Sequence, residues 1–208
     1  MLRIWGRTSS SNVQKVLWAA SELGLDYERI DAGGNFGVVD SPDYRAMNPM
    51  GRVPTIEDDG FVLWESNAIL RYLALAHGGG SDVAPRNVRE WGLCHQWIDW
   101  QVSALVPTFP QVVRQFRTAE AERDQGIIDR NVEALEAMWA ILDAELACRP
   151  YLLGDRFTIA DIPAGVWLAR RYRLELVRRD LPALDAWYQR LKQRAAYRAH
   201  VMEASLSW

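Results

Sequence analysis

One stretch limits the folds open to this 208-residue chain more than any other: Asn48 to Asn67, NPMGRVPTIEDDGFVLWESN. Val53, Thr55 and Ile56 form a short β-branched run, Asp58-Asp59-Gly60 turns the chain, and Phe61, Val62 and Leu63 bring it back. Pro54 has no N–H to give to a ladder, so it belongs at the front of a strand, and the Val53 backbone faces a gap rather than a neighbouring strand. Glu65, Ser66 and Asn67 then open a helix that continues through Ile69, Leu70, Tyr72 and Leu73. A helix start offers unpaired N–H groups and a partial positive charge. Together with a free backbone edge, an acid and a hydroxyl, it suits a small peptide-like ligand carrying a carboxylate and an amine. Taken alone, the stretch fits an ordinary capped surface hairpin equally well.

The flanking elements give that hairpin a frame. Leu2, Ile4 and Trp5 read as a strand closed by Gly6, and Val13, Val16, Leu17, Ala20 and Leu23 as a helix ended by Gly24. Tyr27 to Ile30 reads as a second strand. A helix between two strands implies a parallel crossover, and the Asp-Asp-Gly turn an antiparallel pair. The expected fold is therefore a thioredoxin-like α/β domain with a mixed four-stranded sheet over residues 1–77. Gly78-Gly79-Gly80-Ser81-Asp82 and Pro85 mark a linker over residues 78–86. Beyond it, Trp91, Ile98, Leu105 and Val112 recur every seven residues, shadowed by His95, Val102, Phe109 and Phe116. Ile128, Leu135 and Leu142 repeat the pattern, with Val132, Trp139 and Leu146 alongside. Two such stripes predict an all-α helical bundle domain over residues 87–208, with a kink or break at Pro107 and Pro110. Thr158 and Asp161 form a capping box, with Thr158 as N-cap, which is architecture rather than chemistry.

Composition excludes several functions. A net charge of −3 gives no field favouring nucleic acid or an acidic membrane. No apolar run approaches the roughly 20 residues that span a bilayer. Leu2-Arg3-Ile4-Trp5 has none of the layout of a signal peptide, and Cys94 and Cys148 form no disulfide framework, so a reducing, cytoplasmic setting is expected. His77, His95 and His200 share no metal-ligand spacing, so no metal is expected. The basic run Arg170, Arg171, Arg173, Arg178 and Arg179, interleaved with Glu175 and Asp180, reads as a solvated, ion-paired helix end. Gly33-Gly34 and Gly37 lack the strand-to-helix frame of a phosphate loop. In the turn Thr8-Ser9-Ser10-Ser11-Asn12, one residue is enough to cap the following helix; equally, a hydroxyl there would favour an anion and lower the pKa of a ligand thiol.

The Ser-rich turn before Asn12-Val13-Gln14-Lys15-Val16, the Asn48-Pro-x-Gly-Arg-Val-Pro54 loop, the Glu65-Ser66-Asn67-Ala68-Ile69 helix start and Thr158-Ile159-Ala160-Asp161 occur in order and at the spacing of one family. In these motifs, and over nearly all its length, the chain resembles the soluble glutathione S-transferases, in their serine-type, theta- and zeta-like bacterial class. The resemblance implies a cis Pro54 and a Val53 backbone that pairs with the cysteinyl unit of glutathione. It places Glu65 and Ser66 on the γ-glutamyl group, Arg52 near the glycyl carboxylate, and Asn12 near the sulfur. Ser10 falls on the catalytic serine that keeps the sulfur a thiolate, with Ser9 and Ser11 one position away on either side. The acceptor site would draw on Ser9, Trp97, Trp100, Gln101 and Trp208. The activity implied is transfer of glutathione to an electrophile, as in detoxification, by a cytoplasmic homodimer. Glutathione is then a co-substrate rather than a resident cofactor, and a small hydrophobic or electrophilic molecule is the second substrate. Alternatives on the same fold are a glutathione-dependent disulfide reductase, peroxidase or isomerase, or a non-catalytic glutathione- or hydrophobe-binding protein. The absence of cysteine from the serine turn argues against a thiol-based mechanism.

Overall fold

The computed structural model describes residues 1–174 and 178–204, without the side chains of residues 110, 111, 113, 114, 116, 117 and 121. Two compact units result, one of residues 1–85 with the chain from Lys192, the other of residues 86–191.

The first unit runs β1 (Leu2–Trp5), α1 (Ser11–Glu22), β2 (Tyr27–Ile30), α2 (Pro42–Met47), β3 (Thr55–Asp58), β4 (Phe61–Trp64) and α3 (Ser66–His77). The strand order is β2-β1-β3-β4. β1 and β2 are parallel, with Leu2 opposite Tyr27, as the α1 crossover requires. Both other pairs are antiparallel, with Trp5 opposite Thr55 and Thr55 opposite Trp64. This is the mixed, thioredoxin-like sheet expected from the sequence. Leu2 and Ile4 point one way from β1 and meet Val13, Val16, Leu17 and Ala20 of α1 with Ile69 and Leu73 of α3. Burying each such aliphatic side chain contributes about 1.5–3 kcal/mol. That core fixes the starts of α1 and α3 relative to the sheet edge.

Residues 192–204, which the sequence reading grouped with the helical stretch, make their contacts with α1. Arg194 grips the Glu22 carboxylate with two nitrogens at 2.7 and 2.6 Å. Tyr197 lies 4.7 Å from the Trp18 ring, and His200 Nε2 is 2.7 Å from Ser21 Oγ.

Asp58, at the end of β3, ties the sheet to α3 by accepting from Tyr72 Oη at 2.8 Å and pairing with His77 Nε2 at 2.6 Å. Burial raises its pKa, but the hydrogen bonds from His77 and Tyr72 and the charges of His77 and the chain N-terminus outweigh burial and hold the carboxyl below its ordinary value. A carboxyl depressed in the folded state adds stability above its unfolded pKa and loses it as pH falls through the folded one. Asp58→Asn is therefore expected to flatten the acid limb of unfolding below about pH 4, the region of an unperturbed aspartate. Acid titration of the two proteins by circular dichroism checks this; superimposable limbs would contradict it.

The second unit contains α4 (Val88–Trp100), a five-residue π-helical turn (Gln101–Leu105), α5 (Val106–Arg117), α6 (Gln125–Leu146), α7 (Asp161–Arg173) and α8 (Pro182–Gln193), the last continuing past Leu191 into the first unit. Ile98, Leu105 and Val112 are buried, as are Ile128, Leu135 and Leu142, and α5 packs on α6. The backbone stays helical through Leu105 and Val106 into Pro107, and the π turn lies just before the proline. The side chains of Pro110 and Phe116 lie outside the described residues. The wider turn rotates the stripe, so Val102, expected inside, is 51% exposed while Gln101 is fully buried.

Two further expectations are corrected here. The basic run is not uniformly solvated, because Arg170 and Arg171 are buried. Arg171 forms a two-point pair with Glu136 of α6 at 2.8 and 2.6 Å, and Glu136 also accepts from the Arg179 N–H at 2.9 Å. Glu175 lies outside the described residues. Second, α7 begins at Asp161 rather than just after Thr158. The box closes on the turn ahead of the helix: the Thr158 N–H donates to Asp161 Oδ2 at 2.9 Å, and Thr158 Oγ1 accepts from the Ala160 N–H at 3.3 Å.

Candidate functional site

In the first unit, the starts of α1 and α3 and the β3 approach meet around one groove with two adjoining compartments. The narrower, about 110 Å³, is lined by Asn12, Arg52, Val53, Pro54, Glu65 and Ser66, joined by Asn48, Met50 and Trp64. The wider, about 250 Å³, has Arg7, Ser10, Gly33, Gly34, Val39 and Gly51, and shares Asn12, Arg52 and Val53 with the first. Ser10 and all the residues expected on glutathione therefore gather in one place.

Ser10 is the N-cap of α1, in extended conformation (φ −79°, ψ 124°), yet its side chain makes no bond to the helix. Ser10 occupies the capping position, but capping does not use its hydroxyl. It stays available at the positive end of a helix, where an anion is favoured. Ser9 does not line either compartment, and Ser11 is the first helical residue. At the second helix start, Glu65 holds φ +71° and likewise makes no side-chain cap bond. Such a conformation in a bulky residue costs of order 1–3 kcal/mol and is concentrated at ligand sites. Ser66 Oγ donates to Asn12 Oδ1 at 3.2 Å, and one turn deeper the buried Lys15 Nζ donates to Asn67 Oδ1 at 2.9 Å. These two bonds join the serine helix to the acid-bearing one.

The Val53–Pro54 peptide is cis. Val53 precedes the first ladder pair, Trp5 with Thr55, and makes no backbone hydrogen bond among the described residues. The loop is held from behind by a network that the sequence reading did not identify. The Arg52 carbonyl accepts from Tyr44 Oη at 2.7 Å and from Asn48 Nδ2 at 2.8 Å. Since the phenol proton goes to that carbonyl, Thr55 must donate to Tyr44 Oη across 2.8 Å and accept from Asn48 Nδ2 at 3.0 Å. Burial raises the Tyr44 pKa against the opposing pull of Thr55 and Asn48, so the phenol remains a donor. Asn48 was visible as a turn residue, but nothing local in the sequence connects Tyr44 to Thr55.

The acceptor-site residues are not gathered in the same way. In the second unit Gln101 is fully buried and Trp97 is 5% exposed. Trp100, half-buried, packs edge-on against Trp97 with ring centroids 5.5 Å apart. Trp208 lies outside the described residues. Among the described residues no cluster of three or more His, Cys, Asp or Glu could hold a metal ion, and no helix is long and apolar enough to cross a membrane.

Residues 1–75 match the family described as glutathione S-transferase, N-terminal domain, and residues 125–190 the corresponding C-terminal domain. The chain is 39% identical to glutathione S-transferase GstB of Escherichia coli, across 97% of this chain and 98% of that protein. It is 31% identical to glutathione S-transferase 4 of Zea mays, across 94% and 89% respectively. Among solved structures, the theta class glutathione S-transferase of Xanthomonas axonopodis pv. citri, with glutathione bound, superposes with a TM-score of 0.90 at 44% identity, covering 98% of both chains. With its two domain matches, full-length relatives and a groove built from the ends of α1, α3 and β3, the chain belongs to the glutathione S-transferase family.

Proposed function

We propose that this glutathione S-transferase binds its co-substrate along the groove of the first unit and activates the thiol at Ser10. The γ-glutamyl end sits at Glu65 and Ser66, where a carboxylate receives the amine and helix N–H groups receive the carboxylate. The cysteinyl unit pairs with the open Val53 backbone as an added strand, and the glycyl carboxylate lies toward Arg52. The sulfur then falls in the wider compartment. There the Ser10 hydroxyl donates to it, the S–H proton leaves to solvent, and the thiolate attacks an electrophilic, small and mostly apolar acceptor. The single observation that carries this reading is the Ser10 hydroxyl, uncommitted to its helix and open to the same groove as Val53. We further propose that the protein works as a cytoplasmic homodimer, which the family resemblance supports.

Glu65→Gln and Ser66→Ala are each expected to weaken glutathione binding by about tenfold or more, since hydrogen bonds to charged groups are worth about 1.5–3 kcal/mol. Calorimetric titration with glutathione checks this, and unchanged affinity in both variants would sink the γ-glutamyl assignment. Turnover of glutathione with an aryl halide, a hydroperoxide and a mixed disulfide, run in parallel, separates conjugation from peroxide or disulfide reduction. No turnover in any of them would favour a binding protein.

A further inference from the structure

Arg7 stands out among the cations of the first unit. The Ser10 N–H donates to the Arg7 carbonyl at 3.2 Å, so the two residues close one turn, and both line the wider compartment. The arm of Arg7 lies along Gly33 and Gly34. A Cβ on Gly33 would come 3.0 Å from Arg7 Nη1, and one on Gly34 would come 3.2 Å from Nε. Both glycines hold positive φ, +75° and +60°, so the loop folds back in a way that leaves a slot for the guanidinium. Among the described residues, this half-buried side chain makes no hydrogen bond and no ion pair. Two other arginines of this unit are committed. Arg29 bonds the Gly6 carbonyl at 2.9 Å and Asp31 at 2.5 Å, and Arg45 takes Asp40 at 2.6 Å. No acid lines the wider compartment. An arginine partly out of water, with five donors and no acceptor, is placed for an anion.

Resting on the glutathione reading above, we propose that Arg7 is a further catalytic residue, whose guanidinium faces the reacting sulfur and holds it as thiolate together with Ser10. The other two anionic groups of glutathione have places elsewhere. The γ-glutamyl carboxylate sits at the α3 start in the narrower compartment, and the glycyl carboxylate at Arg52, the other arginine of the groove. The sulfur shares a turn with Arg7. Around it stand the charges of Arg7 and Arg52, with Glu65 in the adjoining compartment. On ionisation the S–H bond breaks, the proton passes to water and the electron pair stays on sulfur. An opposite charge within about 4–6 Å lowers an acid's pKa by about 1–3 units, and a half-open pocket puts Arg7 near the lower end.

The test is an ultraviolet thiolate titration of glutathione bound to the full-length wild type, Arg7→Gln and Arg7→Lys, with affinity measured on the same samples. Arg7→Gln should raise the thiol pKa by about one unit while changing glutathione affinity by less than about threefold. Arg7→Lys, keeping the charge, should restore at least half of that shift, which a purely structural role for Arg7 would not produce. An unmoved thiol pKa in Arg7→Gln, with wild-type binding intact, overturns the assignment. If affinity alone falls in that variant, Arg7 serves a carboxylate instead. A wild-type protein that binds no glutathione overturns the reading of the groove itself, and Arg7 with it.

Discussion

Replacing Ser10 with alanine is expected to raise the pKa of enzyme-bound glutathione by about one to two units while leaving its affinity within about threefold. A hydrogen bond to a charged group is worth about 1.5–3 kcal/mol, and each pKa unit corresponds to about 1.4 kcal/mol. The hydroxyl bonds the thiolate more strongly than the thiol, so its loss falls on ionisation rather than on binding. The consequence for rate depends on pH. Near pH 6.5 the variant holds about ten- to a hundredfold less thiolate, and kcat falls accordingly; near pH 9 much of the difference closes. Helix stability should change little, because Ser10 makes no side-chain bond to α1. Ser11→Ala, at the first helical position, serves as the control and should titrate like the wild type. If Ser10→Ala has the wild-type pH profile, the thiolate is stabilised by another group. If Ser11→Ala shifts instead, the hydroxyl belongs one residue on.

How much of this was open to reading in the sequence depends on the distance over which each feature is determined. The sheet was legible because its signals are local: Pro54 opening a strand, Asp58-Asp59-Gly60 reversing it, Gly24 ending α1. The groove was legible for the same reason, since Ser10, Val53 and Glu65-Ser66 each sit at an element boundary that their own neighbours define. The network behind the groove was not, because Tyr44, Asn48 and Thr55 contribute from α2, a turn and β3, and only the folded chain shows that Tyr44 and Asn48 share the Arg52 carbonyl while Thr55 bonds both of them. Arg7 carries no local signal, because its significance comes from its packing along Gly33 and Gly34, which by themselves lack the frame of a phosphate loop. In the helical unit, periodicity located the stripes but assumed a constant turn. The π-helical Gln101–Leu105 breaks that assumption, exchanging Val102 for Gln101 in the interior. Arg171 looked solvated because its partner, Glu136, lies 35 residues earlier on another helix.

Asp161→Ala should be the most destabilising single substitution in the helical unit, lowering stability by roughly 4 kcal/mol. Asp161 is fully buried, and its two oxygens serve three segments. Oδ1 accepts from the Leu152 N–H at 3.0 Å and the Trp187 indole at 3.2 Å. Oδ2 accepts from the Thr158 N–H at 2.9 Å and the Thr158 hydroxyl at 3.4 Å. Removing the carboxylate leaves two backbone N–H groups and an indole N–H buried without an acceptor, at about 1–3 kcal/mol each before relaxation. For a domain of this size the midpoint of thermal unfolding should fall by about 10 °C or more. Asp161→Asn should fall between the two proteins, because its remaining oxygen can still serve Leu152 and Trp187 while its NH₂ meets the Thr158 donors. A pH signature distinguishes the charge from the shape. Burial pushes the Asp161 carboxyl up to about 6, against the pull of Thr158, Leu152 and Trp187. Between the unperturbed value near 4 and that one, the folded chain holds a proton that the unfolded chain releases, so this group's contribution to stability falls as pH rises from about 4 to 6 and is flat above. Asparagine, which does not titrate, removes that slope. Thermal unfolding followed by circular dichroism at pH 5 and pH 7 checks both statements. An Asp161→Ala protein melting within about 2 °C of the wild type would show that the three segments find other acceptors.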